Sequence, residues 1–198
     1  MGKPRNNDIN IAFKRGLIVG TGAFFLAIVA TLAAMVLLDY IASIIVSLIL
    51  LMVIVFIGIV FDTIGVAAAA AIESPLHAKR AKKLYGAAHA INIVRNADKA
   101  ASFCSDVIGD VCGILSGAVG AIIVMRMLLQ APTFNEAMLS ILMASIIAAI
   151  TVGGKAFGKY FAIRKATEII FYTGKILKWV EDKLHIRIFN GNVKGRLK

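Results

Sequence analysis

Within its long apolar runs this chain has almost no charge. Charged residues are 17% of the sequence and hydrophobic residues 60%, where a soluble domain is about a quarter charged and about half apolar. That balance excludes a single water-facing globule and gives an integral membrane protein. Cysteine is scarce as well. Cys104 and Cys112 fall on one predicted helix, two turns apart, too far to bridge each other, so no disulfide framework follows. The three histidines, His77, His89 and His185, all fall in interfacial stretches, which leaves no zinc ligand set inside the membrane. No nucleophilic triad and no glycine-rich phosphate loop after a strand is present, so an enzyme is not expected. Acid is sparse beside base, giving a net charge of +11. The basic residues gather between apolar runs, where the positive-inside rule and anionic lipid headgroups account for them. No basic platform interleaved with aromatics accompanies them, and nucleic acid is not an expected partner.

The order of segments predicts an all-α membrane protein with four transmembrane helices, a cytoplasmic-interface amphipathic helix and a basic exit helix. Residues 1–15 are a basic cytoplasmic N-terminus with Lys3, Arg5, Lys14 and Arg15. Residues 16–72 hold two spans. The first, 16–38, is long enough to cross a bilayer and is read as an uncleaved helix rather than a signal peptide. A short polar turn at Asp39-Tyr40 leads to the second, over 41–72, broken only by Asp62. Residues 73–97 are expected to form one juxtamembrane amphipathic helix, with Ser74 as its cap, Pro75 at its first position and the cluster Lys79, Arg80, Lys82, Lys83.

Residues 98–155 hold two more spans, joined by a loop with Pro132, Asn135 and Glu136. The first of these carries Asp106, Asp110 and a ridge at Gly109, Gly113 and Gly117, expected to be its packed face. The second is placed over about 137–154. Residues 156–198 are a basic, aromatic interfacial helix and tail, the last stretch 190–198 expected to be disordered. Lysine and arginine counts place both termini in the cytoplasm, and the expected location is a prokaryotic plasma membrane.

Asp62, Asp106 and Asp110 are the informative exceptions to this apolar pattern. A carboxylate at the bilayer centre costs on the order of 3 kcal/mol by insertion scales, so each is expected to face protein or a wet cavity. Helix rise places Asp62 and Asp110 each roughly 16 Å above the cytoplasmic end of its span. Asp106 lies one turn away on the face of Asp110. Hard divalent cations take carboxylate, hydroxyl and carbonyl oxygens, and Thr63, Ser105 and the Gly109 carbonyl stand close by in sequence. Three readings stay open: a cation site, a structural network in which Lys155 neutralises an aspartate, and a proton relay. Lys155 could equally snorkel to the cytoplasmic headgroups.

The same arrangement resembles the transmembrane domain of the CNNM/CorC family. The family's F-F-S-x-S-E-T-A-L stretch falls at Phe61-Asp62-Thr63-Ile64-Gly65-Val66-Ala67, its I-G-N at Ile108-Gly109-Asp110, and its G-E-I-x-P-K at Gly154-Lys155-Ala156-Phe157-Gly158-Lys159. The likeness covers residues 45–185 and rests mostly on architecture. It implies a homodimeric Mg²⁺ exporter working by alternating access, with Na⁺ as a coupling ion. By it Asp62 falls at a family serine and Asp110 at a family asparagine, both associated with cation binding, so these two would be ligands; the reading of the residues themselves adds Asp106, the Gly109 carbonyl and Thr63 as auxiliary ones. The departures are specific: a family acid falls at Gly65, its last-helix glutamate at Lys155, and its proline at Gly158. An extra helix precedes the family's three spans. The CBS-pair module that often follows is absent, so nucleotide regulation through it is not expected.

Overall fold

The structure, a computed structural model, describes residues 6–41, 43–131 and 135–184. The sequence readings made for Lys3, Arg5, Pro132, His185 and the tail 190–198 lie outside them. The described residues are helical and contain no strand: α1 (Asn6–Tyr40), α2 (Ile44–Ala70), α3 (Glu73–Ala81), α4 (Ala87–Arg95), α5 (Ala97–Ala101), a π-helical segment (Ser102–Gly109), α6 (Asp110–Gln130), α7 (Glu136–Arg164) and α8 (Ala166–Leu184). Among the described residues, four stretches are long and apolar enough to cross a bilayer: Gly16–Tyr40, Ile44–Ala70, Ala97–Gln130 and Glu136–Arg164. The chain is an all-α integral membrane protein.

It divides into two compact units, Met1–Val60 with Asp106–Lys155, and Phe61–Ser105 with Ala156–Lys198. In the first, branched aliphatics fill the interior: Leu38, Leu51, Val55, Val119 and Ile123 are buried together. Their size leaves room for backbone approach only at glycines. A Cβ on Gly120 would strike Ile147, and one on Gly58 would crowd Cys112. Gly113 and Gly117 have nothing within 4 Å of the place a Cβ would take. At Gly113 and Gly117 the glycine ridge is therefore not the packed face the sequence suggested. These two line an open groove of about 430 Å³ together with small residues of α7, among them Ala144, Ala148 and Thr151.

Arg126 of α6 closes the other end of this unit. Its Nη1 donates to the Ile41 carbonyl and its Nη2 to the Leu38 carbonyl, both at 2.6 Å, with Asp39 Oδ1 at 3.8 Å. A helix C-terminus leaves four carbonyls without intrahelical donors. The Leu38 carbonyl in the last turn of α1 also accepts from the Ile41 amide, so the guanidinium adds a second donor there and ties down the Ile41 carbonyl just beyond the helix.

The second unit is built from small residues and one large ring. Ala67, Ala68, Leu76, Ala87, Ala90, Ile91, Ile170 and Phe171 are buried in one cluster. The single amphipathic helix expected over 73–97 is instead α3 and α4 with a turn between them. Lys83 (φ 54°) and Gly86 (φ 81°) are left-handed there, a conformation an α-helix cannot continue through. Gly86 also lies against the backbone of Lys175, and Gly174 against Gly86 and Ala90, so α4 and α8 touch backbone to backbone. Ser74 does not cap α3. The cap position is Ile72, without a side-chain bond, and Pro75 falls within the first turn, where its missing N–H costs nothing. Two polar contacts fasten α8 to the α4 end of this unit. Tyr85 donates to Asp182 Oδ2 at 2.7 Å, and His89 Nε2 meets Glu181 Oε2. The bond to Asp182 pushes the Tyr85 phenol up to about 12.

Candidate functional site: two intramembrane Asp–Lys pairs

Asp62 sits on α2 with only 5% of its surface exposed. The helix places it where Gly65, one turn on, lets another backbone come close: a Cβ at Gly65 would collide with Ser105 Oγ and crowd the Ala101 carbonyl and the Ser105 amide. Ser105 Oγ donates to the backbone carbonyl of Asp62 at 3.3 Å. The carboxylate oxygen Oδ2 has no hydrogen bond among the described residues. Its charge partner is Lys159, whose Nζ stands 3.9 Å away. Thr63, the next residue of α2, is half-buried.

Asp110 opens α6 and is answered by Lys155 of α7, Nζ to Oδ1 at 3.2 Å. Lys155 was singled out by sequence as a partner; Lys159 was not. The reason is where the last span ends. The sequence placed that end near Gly154, whereas α7 continues unbroken to Arg164, so Lys159 follows Lys155 by one turn on the same face. Two lysines four residues apart, alternating with the aromatics Phe157 and Phe161, were the signal available for it.

The other expected ligands fare differently. Gly109 is buried, and its carbonyl oxygen lies 3.5 Å from where a Gly58 Cβ would stand, so it faces the packing against α2. Asp106 is exposed, and no hydrogen bond or ion pair engages it among the described residues. It lies in the π-helical segment. Among the described residues no group of three or more His, Cys, Asp or Glu side chains is arranged to hold a metal ion. No protein-family model, curated protein or solved structure matches the chain.

Proposed function

We propose that this chain is a membrane scaffold or subunit in which the intramembrane aspartates are structural, each neutralised by a lysine of α7. The observation that carries this reading is the matched pairing of Asp62 with Lys159 and Asp110 with Lys155. A carboxylate already opposed by an ammonium group at 3.2 Å offers little net charge to a divalent cation. Mg²⁺, which holds its waters tightly and takes near-octahedral oxygen ligands, would have to displace that ammonium first.

A second reading keeps the resemblance to CNNM/CorC proteins: a homodimeric cation transporter moving Mg²⁺, with Na⁺ as coupling ion. One observation favours it, the buried Asp62 Oδ2 without a hydrogen bond. A desolvated acceptor of that kind normally finds a partner, and a cation exchanging with Lys159 would be one.

Reconstitution into liposomes with a trapped Mg²⁺-sensitive dye, with and without a Na⁺ gradient, separates the two. The scaffold reading expects no flux above protein-free vesicles and no Mg²⁺-dependent rise in melting temperature. Flux that vanishes in Asp62→Asn would overturn it in favour of the transporter.

A further inference from the structure

Phe171 is buried, yet two ammonium groups lean on its ring. Lys79 Nζ of α3 stands 4.0 Å from the ring centroid and Lys175 Nζ of α8 stands 4.7 Å from it. Both distances run to one point, so the two charges lie within one screening length, about 10 Å at 0.1 M salt. Both lysines are half-buried. Neither takes part in an ion pair among the described residues.

Among the described acids of the same body, Asp62 is paired with Lys159, the exposed Asp98 and Glu168 enter no ion pair, and the other three are held elsewhere. Glu73 is held by His77 and Arg95, Glu181 by His89, and Asp182 by Tyr85. Glu168 of α8 is two turns from Lys175, at roughly 10 Å along the helix. Ring quadrupoles attract each ammonium but leave its positive charge uncancelled. Two half-desolvated like charges held together call for an anion. A phosphoryl group, doubly contacted by lysines, has the matching charge and acceptors.

The place of this body in the chain selects the source of that phosphoryl group. α3 begins three residues after the apolar α2 ends at Ala70, and α8 begins two residues after α7 ends at Arg164. The end of α7 exposes Phe157, Tyr160 and Phe161, with Arg164 over the Tyr160 ring at 4.4 Å. Aromatics and arginine in that order mark the headgroup layer.

We propose that Lys79 and Lys175, set around Phe171, form a headgroup site for a phosphate-bearing anionic lipid. This goes beyond the ion-pair reading above and does not depend on it. It also goes beyond diffuse attraction of basic segments to a charged leaflet, because it assigns the binding to two lysines out of many.

The chain has a single tryptophan, Trp179, exposed on α8, and its fluorescence serves as reporter. The full chain in neutral detergent would be titrated with phosphatidylglycerol, phosphatidylcholine and inorganic phosphate. A saturable response to phosphatidylglycerol alone is expected. Lys79→Gln with Lys175→Gln should weaken it on the order of thirtyfold, at about 1 kcal/mol per lysine near a charged surface. Lys79→Arg with Lys175→Arg should retain it. Lys82→Gln with Lys83→Gln, which removes the same charge nearby, should weaken it by less than about threefold. Circular dichroism checks that each variant is folded. Should the double glutamine variant fail that check, Lys79→Gln alone is compared with Lys82→Gln alone. Equal weakening by the two glutamine sets, or an equal response to inorganic phosphate, would overturn the proposal.

Discussion

In the unit containing Asp62 the buried member of the ion pair is the acid; in the unit containing Asp110 it is the base. The Asp62 side chain is 7% exposed and its partner Lys159 is 53% exposed. The Asp110 side chain is 66% exposed and its partner Lys155 is 19% exposed. The distances follow the same division, 3.9 Å for the first and 3.2 Å for the second. The two pairs share a composition but not an energetic role. A buried carboxylate cannot move to find water. A buried lysine has a four-carbon stem that carries its charge outward. The acid-buried pair is therefore the brittle one, and the base-buried pair the forgiving one.

The sharpest way to break this comparison is to remove the outer member of the brittle pair. Lys159→Met leaves Asp62 buried and unopposed, and should cost about 3 kcal/mol of unfolding free energy in micelles. Adding Asp62→Asn to that variant should restore most of the loss, since the stranded charge is then gone. If Lys159→Met is neutral, Lys159 is not what makes Asp62 tolerable, and the asymmetry fails. The matching change in the forgiving pair, Asp110→Asn, leaves Lys155 unopposed but able to snorkel, and should cost about 1 kcal/mol. A cost equal to that of Lys159→Met would mean that both pairs are brittle.

The smallest effect expected is a pH dependence confined to the second unit. The hydrogen bond from His77, with Arg95 beyond it, holds Glu73 below the ordinary carboxylate value. A lowered native value contributes stability that is present above the ordinary glutamate pKa, about 4.3, and lost as pH falls through the native value. Tyr85 works at the other end. Its raised value contributes stability that is present below about 10, the ordinary phenol value, and lost as pH climbs through about 12. Unfolding midpoints followed across both limbs should lose the acid dependence in Glu73→Gln and the alkaline dependence in Tyr85→Phe. An acid limb unchanged in Glu73→Gln would show that another carboxylate carries it.

The spans were legible because a bilayer demands long uncharged runs, and residues 16–38 and 41–72 supply them almost without interruption. Asp62 and Asp110 could be singled out for the same reason. What one chain read in order does not display is how backbone meets backbone. The break between α3 and α4 turns on left-handed Lys83, a residue with no preference for that conformation, and Gly86 alone is too common a signal to end a helix. The π-helical segment has no residue period of its own to betray it. Gly113 and Gly117 have the small-residue spacing of a packed ridge, but that spacing is equally the wall of a groove. Lys159 was missed through a span boundary drawn ten residues early, at 154 where α7 runs on to Arg164.

The Arg126 clamp has a consequence for the order in which the chain is made. The two carbonyls it satisfies precede it by 88 and 85 residues. At about 5 to 20 residues per second of synthesis, the first hairpin waits several seconds for its donor. During that interval the end of α1 depends on whatever stands in for a guanidinium at the insertion machinery or the bilayer surface. A ribosome stalled between α2 and α6 would thus hold a nascent hairpin with its connecting turn unfinished, the stage at which cellular quality control would be expected to act on this protein.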